Sequence, residues 1–160
     1  MKLYKKIDGK TYYWETWEQD KKFAYVHWGV VGEHGETKEI KSTSFLNFRD
    51  KVQKEINTTL KKGYEEFDSD DLVPLIIEYK TDNLKNIEED ISKRYSLEDR
   101  MQETLAWTGL GHCDGGSIGS GTMEVCCYVV DFIIAKKVIE KDLNETPFHD
   151  YTRIYNEDDE

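Results

Sequence analysis

Residues 27–35 read HWGVVGEHG and decide how the first part of this chain folds. They continue a run that alternates at period two from residue 23, which predicts a β-strand. Gly29 inside that strand either lets another backbone approach closely or marks a β-bulge. Gly32 and Gly35 can take the positive φ of a tight turn, so we predict a hairpin whose second strand spans residues 36–42. The side chains expected on one face of the first strand are Ala24, Val26, Trp28 and Val30.

The segments on either side of this hairpin complete one small domain. Residues 2–6 and 11–17 are predicted strands, joined by a turn in which Asp8-Gly9 is a strong hairpin signal. After the hairpin, Ser42 or Ser44 can cap a helix that ends near Gly63. We therefore predict an antiparallel sheet of about four strands with one packed helix. The apolar stripe of that helix consists of Phe45, Phe48, Val52, Ile56 and Leu60.

This order of elements resembles the WGR domain, named for a Trp-Gly-Arg signature. The resemblance covers roughly residues 1–67 and includes the helix end Lys61-Lys62-Gly63-Tyr64. Such domains occur in DNA-damage-activated poly(ADP-ribose) polymerases, where the signature Trp and Arg lie at the interface with the DNA end and neighbouring domains, and in bacterial regulator-like proteins. Trp28 matches the signature Trp, whereas Val30 stands in place of the Arg. The resemblance implies a binding surface at Trp28, Gly29, Val30 and Gly32.

The second half predicts a separate α+β domain. If residues 108–117 contribute a strand, its order is βαββαβ, the ferredoxin-like plan, and we know no named family for it. We predict strands at residues 75–80, 123–130 and 151–155. The first helix is capped by Asp82 or Asn83, bears Leu84, Ile87 and Ile91, and restarts at Ser96 with Leu97, Met101 and Leu105 on one face. The second runs from the cap Asp131 to about Leu143.

We accordingly divide the chain into four segments. A WGR-like domain spans 1–67, an acidic connector 68–73, a ferredoxin-like domain 74–156 and an acidic, disordered tail 157–160. The formal net charge of −11 is uneven, because residues 1–68 carry 13 Lys+Arg against 12 Asp+Glu while residues 69–160 carry 9 against 21. Charges of +1 and −12 indicate halves with different surfaces, and the acidic half repels phosphate backbones.

Composition narrows the class of protein. The sequence has no apolar run of about 20 residues that could span a bilayer and no signal peptide, so we expect a cytoplasmic protein without a membrane role. Three cysteines, two of them adjacent, make no disulfide framework. Cys126 and Cys127 point to opposite faces of a strand and lack zinc-site spacing, so we expect no metal. His27, His34 and His149 are expected at the surface.

Two sets of residues are candidates for binding in the first half. Trp28 either stacks on a base or fills a partner's pocket, or it is a core residue that points at the helix stripe. The predicted helix also carries basic residues that either form a phosphate-facing patch or, together with Asp50 and Glu55, a mixed solvated face. The basic residues are Arg49, Lys51, Lys54, Lys61 and Lys62.

Residues 109–121 form a glycine-rich segment, which is the site candidate of the second half. Consecutive flexible N–H groups can form an anion-binding nest. The P-loop signature is absent because no Gly-Lys-Ser/Thr follows, and the dinucleotide fingerprint is absent because the segment opens no helix. The alternative is a pair of tight turns between elements. The candidate loop residues are His112, Cys113, Asp114, Gly115, Gly116 and Ser117.

These observations favour a non-enzymatic binding protein without a cofactor. We expect a protein partner, and nucleic acid as a weakly bound ligand of the WGR-like module. One alternative is an acidic interaction factor, inhibitor or antitoxin-like, that masks a basic partner and has no nucleic-acid role. A third hypothesis is an enzyme that uses His112, Cys113 and Asp114.

Overall fold

The computed structural model describes residues 1–82 and 86–159. Within these residues, eight strands form two antiparallel sheets, and three α-helices accompany them. The contacts divide the chain into two units, Met1–Ser69 and Asp70–Glu160. Each unit holds one four-stranded sheet with its own helices, so the predicted α+β class is confirmed.

The N-terminal sheet has the strand order β1-β2-β3-β4, with every neighbouring pair antiparallel. The predicted Asp8-Gly9 turn joins the first two strands, and both residues are left-handed, with φ of 49° and 77°. One helix packs on the sheet, as predicted. The elements are β1 (Lys2–Ile7), β2 (Lys10–Glu18), β3 (Phe23–Val30), β4 (Glu36–Lys41) and α1 (Phe48–Lys61).

Helix α1 begins later than predicted. Its N-cap is Asn47, whose side chain accepts a hydrogen bond from the Arg49 N–H at 3.0 Å, so neither Ser42 nor Ser44 is the N-cap, although the Ser42 hydroxyl accepts a hydrogen bond from the Phe48 N–H at 3.0 Å. Phe45 consequently lies before the helix and is 97% exposed, and Leu60 is also exposed. The predicted stripe therefore reduces to its middle members. The core of this unit consists of Leu3, Trp14, Ala24, Val26, Ile40, Phe48 and Ile56.

The C-terminal sheet has the strand order β6-β7-β5-β8, again entirely antiparallel. Together with the chain order, this arrangement is the βαββαβ plan predicted from the sequence. Strand β5 begins at Val73, inside the segment that we predicted as a connector. The elements are β5 (Val73–Lys80), α2 (Ile87–Trp107), β6 (Gly111–Gly119), β7 (Thr122–Val129), α3 (Phe132–Leu143) and β8 (Arg153–Asn156).

The helices of this unit bury the predicted faces only in part, because Ile91 is 39% exposed. Helix α2 is continuous through Ser96 and does not restart there, and it buries Leu97, Met101 and Leu105. Asp131 caps α3 as predicted, its side chain accepting from the Ile134 N–H at 2.9 Å. The N-cap of α2 is Asn86, so the predicted cap Asp82 lies before the helix and does not cap it; the predicted cap Asn83 and the predicted stripe residue Leu84 lie outside the described residues.

The C-terminal tail is also more ordered than predicted. Glu157–Asp159 forms a turn of 3₁₀ helix, in which the Asn156 side chain accepts a hydrogen bond from the Asp158 N–H at 3.1 Å and donates one to the Asp159 carboxylate at 3.0 Å. The expectation of disorder is therefore wrong for these three residues, because the side chain that precedes them supplies hydrogen bonds to the turn.

Candidate functional site

The tip of the β3–β4 hairpin depends on a close approach of two glycines. A Cβ atom at Gly29 would lie 2.9 Å from the Gly35 Cα atom, and one at Gly35 would lie 2.3 Å from the Trp28 carbonyl oxygen. Gly29 therefore permits close backbone approach, and β3 pairs without a bulge. Gly32 takes the expected positive φ of 91°, whereas Gly35 does not. Position 35 requires glycine for a different reason, since no Cβ atom fits in the space there.

A buried histidine fixes this tip from the other face of the sheet. His27 is only 1% exposed, and its Nε2 atom lies 2.9 Å from the Tyr13 hydroxyl while Nδ1 lies 2.8 Å from a Glu15 carboxylate oxygen. Burial and the nearby Glu15 charge raise the pKa of Tyr13. The surface position predicted for His27 is therefore wrong, because Tyr13 and Trp17 cover that face of β3.

Trp28 lies on the helix side of the sheet, directly opposite Trp14 on β2. It packs against the core, as the second interpretation of the sequence expected, but it is only partly buried and leaves part of its ring exposed. Its exposed part lines a cavity of about 200 Å³, called here the aromatic pocket. The Nζ atom of Lys38 lies 5.7 Å from the centroid of the Trp28 ring. The aromatic pocket is lined by Trp14, Trp28, Lys38, Glu55, Thr59, Lys62 and Tyr64.

A second cavity of about 380 Å³ lies between β4 and α1 and is called here the lysine groove. It shares Lys38 and Glu55 with the aromatic pocket, and these two side chains form an ion pair of 2.9 Å. The groove and the pocket therefore form one continuous surface. The lysine groove is lined by Lys38, Glu39, Ile40, Lys41, Lys51, Lys54 and Glu55.

The predicted basic patch is only partly assembled on this surface. Lys51 and Lys54 line the lysine groove, and Lys62 lines the aromatic pocket. The Arg49 guanidinium instead binds the Glu18 carboxylate through two hydrogen bonds of 2.8 and 3.0 Å. Lys61 is exposed on α1 outside both cavities.

Sequence reasoning missed Lys38 and Lys41. They come from β4, whose charged residues offered no signal for which of them would border the helix; the Lys41 side chain lies over the Phe23 ring, and the Lys41 carbonyl oxygen accepts a hydrogen bond from Lys51 on α1 at 2.7 Å. Pairing of Val26 with Lys38 and Ala24 with Ile40 gives β4 its register beside α1. Val30, which stands at the position of the signature arginine, is half-buried at the end of β3 and lies outside both cavities.

The glycine-rich segment is a strand, so the candidate loop is corrected to the edge strand β6. His112 and Cys113 are consecutive strand residues and therefore point to opposite faces, and Asp114 lies at a β-bulge. The fold therefore does not bring the side chains of His112, Cys113 and Asp114 together in one site. The Gly116 backbone approaches β7 so closely that a Cβ atom there would lie 2.2 Å from the Glu124 carbonyl oxygen.

The remaining members of this segment have local roles. His112 stacks on Tyr128 with ring centroids 5.8 Å apart, and the Ser117 hydroxyl donates to Glu124 at 3.3 Å. Gly115 takes a positive φ of 117° next to the bulge. Within residues 1–82 and 86–159, no group of three or more His, Cys, Asp or Glu side chains is placed to hold a metal ion. Nor does any helix in those ranges have the length and apolar character to cross a membrane.

Comparisons of the chain with protein-family models, with curated proteins and with solved structures found no match. The resemblance to the WGR domain therefore depends on the residues of this sequence and on the sheet-plus-helix architecture of the N-terminal unit.

Proposed function

We propose that the N-terminal unit is a WGR-like binding module and that a nucleic-acid strand is its weakly bound ligand. The observation that carries this proposal is the continuous surface formed by the aromatic pocket and the lysine groove. Trp28 offers part of a flat aromatic ring on which a terminal base or sugar stacks, while the lysines bind the phosphates that follow.

The charges of this surface explain why we expect weak binding. Its two cavities hold five lysines, at positions 38, 41, 51, 54 and 62, and two glutamates, at 39 and 55. Lys38 is already paired with Glu55 and Lys41 with Glu39, so part of the positive charge is neutralised inside the protein. The C-terminal half adds the charge of −12, which opposes association with phosphate.

The resemblance supports the choice of ligand. Trp28 and Gly29 match the signature of a family in which the tryptophan lies at a DNA end, and Gly32 holds the turn after it. The signature arginine is replaced by Val30, but the Lys38 ammonium group lies 5.7 Å from the centroid of the Trp28 ring, where it is also paired with Glu55. We therefore infer that Lys38 takes over part of the electrostatic role of the missing guanidinium.

A binding titration of the full chain against a short DNA duplex with free ends tests this proposal. Trp28→Leu removes the flat ring and keeps an apolar side chain against the core. Loss of one stacked base costs about 1–3 kcal/mol, so we expect binding about tenfold weaker at low ionic strength. Phe45→Ala is the matched control, because Phe45 is an aromatic of the same unit, is 97% exposed and lies outside both cavities.

The control variant should bind as the wild type does. Circular dichroism of each variant verifies that the fold is retained. If the wild type does not bind even at low ionic strength, where phosphate contacts are strongest, the nucleic-acid proposal is wrong. If Trp28→Leu and Phe45→Ala bind equally well, Trp28 is not part of the ligand surface.

A second proposal concerns the acidic half, which we infer is a surface for a basic protein partner, as an inhibitor or antitoxin-like factor would have. The pKa of the Tyr128 phenol is raised, first by the neighbouring Cys126 and by burial. The negative charges of Asp114, Glu157 and Asp158 raise it further. An aromatic ring inside a negative field suits Lys or Arg side chains. Salt-sensitive binding of a lysine-rich peptide, with no binding of DNA, supports this proposal over the first.

A further inference from the structure

Cys113 and Cys127 lie directly opposite each other on the neighbouring antiparallel strands β6 and β7. Residues in that relation point to the same face of a sheet, with Cα atoms about 4.5–5.5 Å apart. This separation falls within the range of about 4.4–6.8 Å that a disulfide requires. Both cysteines are free thiols in the structure.

The third cysteine is excluded by the same geometry. Cys126 precedes Cys127 in β7 and therefore points to the opposite face of the sheet. Its carbonyl oxygen, not its thiol, is the group near Cys113, whose Sγ atom donates to it at 3.5 Å. Burial raises the pKa of the Cys126 thiol to about 11, with a further contribution from the charge of Glu157.

The two paired cysteines differ in access to solvent. Cys113 is half-buried on the edge strand β6, where solvent reaches it, whereas Cys127 is fully buried on the inner strand β7. A hydrogen bond from the Cys127 thiol lowers the pKa of Cys113, and the same hydrogen bond together with burial raises the pKa of Cys127. Cys113 is therefore the thiol that reacts first, and Cys127 is the thiol that follows.

We propose that Cys113 and Cys127 form an oxidation site at which a small peroxide converts the two thiols to a cross-strand disulfide. The Cys113 thiolate attacks one oxygen of hydrogen peroxide, the O–O bond breaks, and a sulfenic acid and hydroxide form. The Cys127 sulfur then attacks the Cys113 sulfur, the S–O bond breaks, and the S–S bond forms. The thiol protons leave in water, so two thiols and one peroxide give one disulfide and two water molecules.

The surrounding charges select the class of oxidant. Glu98 and Asp114 lie close enough to Cys113 to act on its ionisation. The negative charge of Asp114 disfavours an anionic oxidant such as oxidised glutathione but has no such effect on neutral hydrogen peroxide, while the Glu98 carboxylate is paired with Arg94. Cys113 also lies beside the bulge at Asp114, where the register of β6 against β7 is locally irregular.

The product would join the edge strand to the interior of its sheet. Strand β6 pairs with β7 on one side only, since the sheet order is β6-β7-β5-β8. A covalent link between residues 113 and 127 closes a short loop that contains the β6–β7 hairpin, and so restricts the unfolded chain. We therefore expect the oxidised protein to unfold at a higher temperature than the reduced one.

Peptide mapping of the full chain after treatment with hydrogen peroxide tests the proposal. Cleavage after glutamate at Glu124 separates Cys113 from both other cysteines. The disulfide therefore appears as two fragments joined by a bond that a reducing agent breaks, lighter by two hydrogen atoms than the reduced pair. Cys126→Ser is the control and should form the bond at the wild-type rate.

Two further variants distinguish the partners of the reaction. Cys127→Ser should leave Cys113 as a sulfenic acid that a dimedone-type reagent traps, and Cys113→Ser should abolish the bond. In the wild type, tandem mass spectrometry of the joined fragments assigns the bond to Cys126 or to Cys127, so the test stays valid even where a variant unfolds. A bond that joins Cys113 to Cys126, or a wild type whose Cys113 passes to sulfinic acid without joining Cys127, would overturn the proposal.

Discussion

At the scale of single residues, the N-terminal unit depends on a buried polar chain. Glu15, His27 and Tyr13 are linked by contacts of 2.8 and 2.9 Å, and the Tyr13 hydroxyl also accepts a hydrogen bond from the Gly35 backbone. These hydrogen bonds therefore join β2, β3 and the turn that follows Trp28. A buried imidazole keeps its position only while both of its nitrogens have partners.

Replacing Tyr13 with Phe should destabilise the protein by about 1–3 kcal/mol, because it leaves a nitrogen of His27 without its partner inside the sheet. Denaturant-induced unfolding followed by tryptophan fluorescence measures this change. The matched control is Tyr25→Phe, which removes an exposed hydroxyl that donates to Glu39 at 3.3 Å. We expect the control within about 0.5 kcal/mol of the wild type. Equal effects of the two substitutions would show that the buried chain contributes no special stability.

At the scale of elements, local signals predicted those parts of the fold that single residues determine. Asp8-Gly9 specified the first turn by its left-handed backbone, and Asp131 capped α3. The start of α1 was not predictable in this way, because Ser42, Ser44 and Asn47 are all good caps. Packing decides among them, since a start at Asn47 directs Phe48 into the core, where it is 2% exposed.

The candidate sites show the same limit. Glycines and Asp114 disfavour a strand, so residues 109–121 were a candidate loop even though the βαββαβ plan needed a strand within residues 108–117, and pairing with β7 and a bulge at Asp114 accommodate residues 111–119 as β6. The sequence named Lys51 and Lys54 only among five basic residues of the helix, and which of these residues border β4 follows from the sheet register. The cysteine pair likewise follows only from the register of β6 against β7.

The lysine groove gives a prediction about one face of α1. If Lys54 contacts a phosphate, Lys54→Ala should reduce the slope of log affinity against log salt by about 1, and weaken binding to DNA of any sequence. Lys61→Ala is the matched control, because Lys61 lies on the same helix, is exposed and lines neither cavity. Titrations at several salt concentrations measure both slopes. Unchanged slopes in both variants would remove the groove from the ligand surface.

At the scale of the whole molecule, the two halves differ in the charge that a ligand meets. The N-terminal half is almost neutral and the C-terminal half carries −12, so the full chain repels polyanions and attracts polycations at long range. Salt screens this field, since the Debye length falls from about 30 Å at 0.01 M to about 8 Å at 0.15 M. The two proposed functions therefore respond in opposite directions to a change in the net charge.

The triple variant Asp99→Asn, Glu103→Gln and Glu145→Gln removes three exposed negative charges and changes the net charge from −11 to −8. At low ionic strength we expect DNA to bind roughly two- to fivefold more tightly, because the repulsion falls, and this gain should vanish at physiological salt. A lysine-rich peptide should bind more weakly for the same reason. The control, Asp99→Glu with Glu103→Asp and Glu145→Asp, keeps every charge and should match the wild type. If the tighter binding of DNA persists at physiological salt, these side chains act by local contact. If only the affinity for the peptide changes, the basic protein partner is favoured as the ligand of this chain.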